Sequence, residues 1–170
     1  MASGQIVAAV LRAIPPASSY ATPDVRAGGS SPAERVPVWD FDDTSVEIMD
    51  FLCFLSPTYE GGGLTVVLPW SATTATSGAV VWGAAIRSFP DDTEDADVSQ
   101  TYDFNLSAAD TTATASGEVS YATLTFSDGV DMDSLVAGQV FILRVKRIPT
   151  DAGDNMSGDA ELWLPIVKET

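Results

Sequence analysis

The sequence predicts an all-β fold, an antiparallel β-sandwich of about eight strands that follows an N-terminal arm. From Val36 onward, short runs rich in Val, Ile, Thr and aromatic residues recur, and each is bounded by a turn-forming segment such as SPTYEGGG, SATTATSG or DAGDNMSGD. In GQVFILRVKRI the side chains alternate with period two, which predicts a core face made of Phe141, Leu143, Val145 and Arg147. At 170 residues the chain is long enough for one domain with its own core.

Eight strands are predicted between the turn segments, at residues 36–41, 48–55, 64–70, 78–88, 100–106, 116–126, 139–148 and 160–168. Within EVSYATLTF we expect Val119, Tyr121, Leu124 and Phe126 on buried faces, with a bulge between 121 and 124 where the period breaks. The segment DGVDMDSLVAG, residues 128–138, has helical spacing and a terminal glycine, which predicts one or two helical turns crossing between strands. Asp131 or Asp133 is expected to cap these turns.

The stretch VPVWDFDDTSVEIMDF, residues 36–51, combines aromatic residues with five acids. Its proline favours an edge strand. The acids that follow are expected to form a turn, with Asp43 as the capping residue and Glu47 inside the turn. We therefore interpret these acids as turn chemistry and strand-edge protection rather than as an active site.

Residues 1–35 differ from the remainder of the chain. Apolar residues fall at helical spacing up to Pro15-Pro16, and the following segment ASSYATPDVRAGGSSPAER is rich in Ser, Gly and Pro. This pattern predicts an arm, extended or partly helical, and a domain that begins at residue 36. The arm is either a disordered tail or a segment that becomes ordered on a partner.

Charge is the most unusual bulk property of the chain. There are 24 acidic and 8 basic residues and no histidine, for a net charge of −16. Such a chain repels nucleic acid and anionic lipid, whereas it can complement a basic protein surface. No apolar run approaches the roughly 20 residues of a membrane span, and no secretory signal is recognised, so we expect a soluble product made in the cytoplasm.

The residue inventory argues against an enzyme. With no histidine, triads of the usual kind and Cys–His pairs lack their base, and a lone cysteine excludes paired-thiolate metal sites. Cys53 lies within FLCFL and is expected to be a buried, unreactive thiol. Because 24 acids will place some pair at a suitable distance by chance, carboxylate pairs carry no signal for catalysis. We expect no catalytic residue and no cofactor.

Calcium or magnesium is the remaining chemical alternative, since hard cations prefer clustered oxygen ligands. Two acidic loops, residues 91–97 and 151–159, are candidates, although neither has the EF-hand spacing. Solvated loops are the favoured interpretation. The candidate ligands are Asp91, Asp92, Glu94, Asp95 and Asp97 in the first loop and Asp151, Asp154, Asn155 and Asp159 in the second.

Residues 36–168 resemble small β-sandwich structural proteins of tailed bacteriophages, namely head cement or decoration proteins and jelly-roll fibre modules. The resemblance lies in the tract Leu64–Trp70, which leads through TTATSG to VVWGAAI, and in the closing RVKRIPTDAGDNMSGDAELW. It implies a jelly-roll sandwich that binds the exterior of an icosahedral capsid and clamps neighbouring major capsid protein subunits. It also implies a virion location, self-association as a dimer or trimer, and no cofactor.

Under this resemblance the arm would reach across capsid subunits, because 35 extended residues span roughly 100 Å. Its apolar residues would anchor the protein and its arginines would pair with capsid acids. The expected anchors are Ile6, Val7, Val10, Leu11 and Ile14, and the expected arginines are Arg12, Arg26 and Arg35.

Two alternatives remain at this point. A fibre or carbohydrate-binding module would expose aromatic side chains, with Trp70, Trp82, Trp163, Tyr59 and Tyr102 as candidates, although large aromatics in strands usually belong to the core. A secreted acidic enzyme would require a catalytic cleft.

Overall fold

A computed structural model describes residues 3–170 and confirms an all-β, antiparallel architecture. This described part contains thirteen strands, more than the eight predicted, and a single 3₁₀ turn, Val130–Met132. None of its helical segments has the length and hydrophobicity to span a membrane. The strands are β1 Ile6–Ile14, β2 Thr22–Gly28, β3 Glu34–Phe41, β4 Ile48–Leu55, β5 Leu64–Ala72, β6 Ala79–Val80, β7 Trp82–Ser88, β8 Asn105–Leu106, β9 Asp110–Thr111, β10 Ser120–Phe126, β11 Val140–Arg147, β12 Ala160–Leu162 and β13 Ile166–Glu169.

Strand β5 joins two branches of the main sheet. One edge of β5 pairs with β10, and the other edge pairs first with β12 and then with β13. From β12 one branch continues through β3 to β2, and from β13 the other continues through β1, β4, β11 and β7 to β8. The long branch curls back toward β10, where the Asn105 amide donates a 2.8 Å hydrogen bond to the Thr125 carbonyl. Strands β6 and β9 form a separate small sheet.

Two prolines lie where the sheet forks. Pro165 belongs to the break between β12 and β13, and Pro69 lies opposite that break in the middle of β5. The Pro69 carbonyl accepts a 2.9 Å hydrogen bond from the Trp163 amide, so the nitrogen of Pro69 faces the same side. Because the ladder is interrupted there, a proline costs no hydrogen bond in an otherwise central strand.

The core lies on the inward faces of the sheet. On β5 these are Leu64, Val66, Leu68 and Trp70, all completely buried. On β11 the predicted core face is confirmed, since Phe141, Leu143, Val145 and Arg147 are all fully buried. The Trp82 ring packs edge-on against Phe41, with centroids 5.1 Å apart, and near Trp70 at 6.2 Å.

Several predicted strands agree with the structure. The interval 48–55 coincides with β4, whereas 78–88 is divided at Val81 into β6 and β7, and 160–168 is divided at the fork. The predicted strand 100–106 is much shorter in the structure, where β8 contains only two residues.

The expectation for β10 is confirmed at Leu124 and Phe126 and was wrong at Tyr121 and in the bulge. Tyr121 is 60% exposed, and the inward positions are Ala122, Leu124 and Phe126. Pairing with β5 is regular from Ser120 to Phe126, without a bulge. The period-two pattern is complete once the small residue Ala122 is counted as a core residue.

The crossing segment contains one 3₁₀ turn, and neither of the two acids predicted as caps is its N-cap. Gly129 is the N-cap and makes no side-chain capping bond, and Asp133 is the left-handed C-cap residue. The Asp131 carboxylate instead accepts the Ser127 amide, while the Asp133 carboxylate accepts the Ser88 amide at 2.8 Å. Both acids therefore fasten the crossing segment to neighbouring residues of the same chain.

Of the two conformations predicted for the arm, extended or partly helical, the helical one was wrong for residues 6–14. This segment is β1, which lies between β13 and β4 inside the long branch. Its register shifts between Ile6 and Ala8 and again between Val10 and Arg12. Each irregularity adds a residue to the period of two, so the apolar spacing of this strand imitates the spacing of a helix. The second half of the predicted arm contains β2, and ordering of residues 1–35 by a partner stays a prediction.

The acidic stretch after β3 forms a turn, with different partners from those expected. Asp42 rather than Asp43 closes it, because the Asp42 carboxylate accepts the amides of Thr44 and Ser45, both at 2.7 Å. Glu47 accepts the Asp42 amide at 2.9 Å. The prediction of an edge strand was wrong, because β2 covers the outer edge of β3.

A buried ion pair closes one end of the core. Arg147 donates to both carboxylate oxygens of Asp154, at 2.8 and 3.1 Å, and neither side chain is more than 1% exposed. Arg147 also donates to the carbonyls of Met156 and Gly158, each at 2.8 Å. These bonds hold the loop after β11 against the core.

We expect Asp154→Ala to lower the free energy of unfolding by about 3–5 kcal/mol, because it leaves the Arg147 guanidinium buried without its counter-charge. Urea unfolding followed by tryptophan fluorescence measures this change. The matched control is Asp91→Ala, which removes an exposed carboxylate and should change stability by less than about 0.5 kcal/mol. Equal effects of the two substitutions would contradict the assigned role of the pair.

Candidate functional site

The structure brings together half of the eight predicted binding residues. Ile6, Leu11, Arg12 and Ile14 are all exposed and point outward from β1. The others lie elsewhere: Val7 is in the core, Val10 packs against the core, Arg26 is bonded to Glu161, and Arg35 is exposed on β3.

We call the outward side chains of β13, β1, β4 and β11 the outer face. The four strands are neighbours in this order, and their registers place the side chains in rows across the sheet. Val140 lies beside Phe54 and Phe54 beside Ala9, while Ile142 lies beside Leu52. The apolar centre of the face consists of Ile6, Ala9, Leu11, Leu52, Phe54, Val140 and Ile142.

The sequence produces this face because β4 is apolar on both sides. Met49, Phe51, Cys53 and Leu55 point inward and are completely buried. The intervening side chains therefore point outward, and the run FLCFL supplies Leu52 and Phe54 to the outer face. A shallow groove of about 340 Å³ lies at one end of the face, lined by Ile6, Ala9, Phe54 and Pro57 among others.

Basic side chains border the apolar centre. Arg144 donates two hydrogen bonds to Asp50, both of 2.7 Å, and its guanidinium lies 3.9 Å from the Tyr102 ring centroid. The Lys146 ammonium lies 3.7 Å from the Phe104 ring centroid, and burial there lowers the pKa of Lys146. The aromatic segment before β8 thus covers one border of the outer face.

The opposite border has free cations. Lys168 of β13 pairs in register with Ile6, so the two side chains lie side by side, and Arg12 lies next to Leu52. Within the described part of the chain, neither Arg12 nor Lys168 forms a side-chain hydrogen bond or ion pair.

A second polar site lies on the short branch. Arg26 binds Glu161 through Nε and donates to the Ala72 carbonyl at 2.6 Å. The Ser71 hydroxyl donates to Glu161 at 2.8 Å and accepts from the Trp163 indole at 3.1 Å. Arg26, predicted as a partner-binding residue, is therefore engaged within its own chain. Its guanidinium ties the β2–β3 hairpin to the end of β5.

Two groups of three carboxylates could in principle hold a hard cation, since oxygens of each group lie within 4.8 Å of one another. Both groups already have protein partners. In the group Asp24, Asp40 and Glu161, Arg26 supplies a positive charge. In the group Asp42, Asp43 and Asp159, backbone amides occupy oxygens of Asp42 and Asp43. We assign no metal to either group.

The two loops predicted as calcium candidates use their acids internally. Glu94 of the first loop binds Arg87 at 2.8 Å, and Asp95 accepts the Asp97 amide at 2.9 Å. In the second loop Asp154 binds Arg147, and Asn155 accepts the Ala79 amide at 2.8 Å. These contacts are those of turns held by their own side chains.

Cys53 is buried, as predicted, and burial raises the pKa of its thiol to about 12. At neutral pH this group is a thiol rather than a thiolate, so it has no nucleophilic character.

The five aromatic residues predicted as candidates for carbohydrate binding do not lie together on one exposed surface. Trp70 and Trp82 are completely buried and Tyr59 is nearly so, which removes them as binding candidates, while Tyr102 is half-buried under Arg144. Trp163 is half-buried at the fork, beside Trp39, a residue that the sequence did not single out. With Ala13, Val36, Pro37 and Leu164 these two indoles line an apolar cleft of about 370 Å³ between the two branches.

The outer face itself could have been recognised from one sequence signal. In GQIVAAVLRAI and IMDFLCFL both alternating sets of positions are apolar, which is unusual for a sheet with one solvated face.

Compared with known protein families and with curated protein sequences, the chain matches none.

The pH dependence of stability tests the environment of Asp40 in the group Asp24, Asp40 and Glu161. Burial, followed by the charges of Glu161, Asp24 and Asp159, raises the pKa of Asp40 from 3.8 to about 6, against a smaller opposing effect of Arg26. A raised pKa means that the folded state binds this proton more tightly than the unfolded state. The contribution of the Asp40 proton to the free energy of unfolding is therefore complete below pH 3.8, and it is lost as the pH rises through about 6.

We expect Asp40→Asn to remove this loss, so that the stability of the variant relative to the natural protein grows between pH 4 and pH 7. Urea midpoints across that range measure it, with Asp97→Asn on an exposed loop as the control. A difference that stays constant with pH would refute the raised pKa.

Proposed function

We propose that this chain is a non-enzymatic virion structural protein that binds the outer surface of an icosahedral phage capsid and stabilises contacts between major capsid subunits. Its observational support is the outer face, on which an apolar centre stays exposed in the interior of a sheet. The proposal includes a jelly-roll arrangement of the strands, a dimer or trimer on the capsid, and a location on the virion exterior.

Exposure of apolar side chains on this face contrasts with the outward positions of β2. Ile6 is 68% exposed and Leu11 is 58% exposed. On β2 the outward positions carry Thr22, Asp24 and Arg26, which suit a solvated surface. An apolar centre with a polar border is the arrangement expected of a protein-binding surface.

The location of β1 favours a rigid attachment. Ile6 and Leu11 are on a strand that pairs with β13 at its start and with β4 from Ala8 onward, so binding need not order a flexible arm before contact. A preorganised surface loses less conformational entropy on association than a disordered segment does. Repetition around a closed shell would raise the total strength of attachment even where each contact is weak.

The capsid proposal is tested by co-sedimentation with empty shells assembled from the major capsid protein encoded in the same genome. We expect saturable binding at a fixed ratio to the capsid subunit. The double variant Ile6→Ser/Leu11→Ser should bind at least about tenfold more weakly, because it removes two anchors from the apolar centre. Deletion of residues 1–35 is unsuitable, because it would remove β1 and β2 from the sheet.

Tyr121→Ser is the matched control, since Tyr121 is an equally exposed large side chain on β10, outside the outer face. Circular dichroism establishes that both variants keep the β-fold. If the natural protein does not sediment with the shells, the capsid proposal is wrong.

A fibre or carbohydrate-binding module is the second candidate, and the cleft at the fork supports it. Trp163 is held in place by its bond to Ser71, so one side of the cleft is a fixed indole, and indole faces stack on apolar faces of sugar rings.

Acrylamide quenching distinguishes this candidate. We expect Trp39 and Trp163 to be quenched while Trp70 and Trp82 are protected, since only the latter two are completely buried. A panel of bacterial surface oligosaccharides should protect the quenched pair, and Trp163→Ala should abolish that protection. An unprotected pair across the panel would remove the carbohydrate candidate.

A further inference from the structure

We propose that the outer face binds a protein surface that has an apolar centre and a carboxylate rim. This inference rests on the proposed function only in taking the occupant to be the capsid subunit. The argument comes from how the few basic residues of this acidic chain are distributed.

Basic residues are concentrated on the outer face. Acids outnumber bases by 24 to 8 in the whole chain. The outward positions of the four strands reverse this ratio, because they carry Arg12, Arg144, Lys146 and Lys168 and a single acid, Asp50. Asp50 is already neutralised by Arg144. The outward strand positions therefore carry an excess of positive charge on a molecule whose net charge is −16.

The free cations border the apolar centre, rather than interrupting it. Lys168 lies beside Ile6 at the β13 border, and Arg12 lies beside Leu52 close to Leu11. Four other bases are held by carboxylates of the same chain: Arg26 by Glu161, Arg87 by Glu94, Arg144 by Asp50 and Arg147 by Asp154. Of the two that remain, Lys146 lies against Phe104 and Arg35 is exposed on β3, outside the outer face. Arg12 and Lys168 are left available in a chain that has an excess of carboxylates with which to pair them.

This distribution selects the chemistry of the occupant. An apolar centre is matched by an apolar centre, and two bordering cations are matched by carboxylates on the rim of the partner. A nucleic acid does not fit, because two free cations neutralise few phosphates while the remaining surface repels the backbone. A second copy docked face to face would oppose cations to cations and therefore does not fit either.

The proposed ion pairs between Arg12, Lys168 and carboxylates on the partner, here called the rim pairs, should act mainly on the association rate and on the choice of partner. Exposed ion pairs add little affinity individually. Binding should consequently weaken as salt rises, since rim pairs are screened within about 8–10 Å at physiological ionic strength.

The experiment uses Arg12→Glu/Lys168→Glu and, for comparison, Arg35→Glu. Arg35 was also predicted to pair with capsid acids, but it is exposed on β3, so a contact made through the outer face does not include it. On the empty shells described above we expect the double variant to bind at least about tenfold more weakly than the natural protein, with a smaller salt dependence. Arg35→Glu should bind like the natural protein. Normal binding by the double variant would overturn this inference and leave the capsid proposal intact.

A second probe is independent of the capsid. A mixed-mode resin with aromatic carboxylate ligands presents an apolar group beside a negative charge. At pH 7 a protein with a pI near 4.1 should pass through such a resin unless it has a basic apolar face. We expect the natural protein and Arg35→Glu to be retarded and the double variant to elute in the void volume. Elution of the natural protein in the void volume would overturn the inference whatever the shells bind.

Lys168 supplies a direct readout on the shells. Within the described part of the chain its ammonium has no hydrogen-bond or ion-pair partner, so an acylating reagent should modify Lys168 in the unbound protein. Bound protein should lose this modification of Lys168. Full reactivity of Lys168 in the complex would place the contact elsewhere. Sedimentation velocity completes the test, because self-association that the double variant abolishes would make a second copy the occupant and contradict the partner proposed here.

Discussion

Pairing of β5 along both edges is the constraint on which the remainder of the fold depends. Its inward side chains fill the centre of the core. One edge of β5 pairs with β10, and the opposite edge is shared by two consecutive strands, β12 and β13. Each of these begins a separate branch of the sheet. Pro69 and Pro165 define the fork, because neither can donate a ladder hydrogen bond and both lie where the ladder is interrupted.

Polar contacts hold the two branches in a fixed relation. The Arg26 guanidinium bridges from β2 to Glu161 and the end of β5, which fastens the short branch to β5. The Arg147 guanidinium of β11, in the long branch, donates to the carbonyl of Phe41 in β3 of the short branch. Arg147 binds Asp154 and several carbonyls, so the chain between β11 and β12 is attached to the core. A chain with so few bases uses half of them in ion pairs of this kind. Their positions therefore say more about the architecture than the abundant acids do.

Much of the fold follows from the sequence where one face of a strand is apolar and the other polar. β11 alternates in this way, and β4 has clear turn signals on both sides, so both were predicted correctly. The sequence failed where alternation is disturbed, as at Ala122, a small core residue, and in β1, whose register irregularities imitate a helix. The fork could not be predicted, because it depends on strands distant in sequence sharing one edge of β5.

The position of β1 connects the error in secondary structure to the proposed function. Residues such as Ile6 and Leu11 indicate an anchoring stripe whether the segment is interpreted as a helix or as a strand. The segment has more apolar residues than one buried face needs, and this holds for either structure. A strand presents that stripe on a surface built jointly with β4 and β11, so Leu52, Phe54 and Ile142 extend it. The proposed binding surface is thereby a property of the whole sheet. The cations Arg12 and Lys168 are far apart in the sequence and lie on one face only because β1 and β13 are neighbours in the sheet.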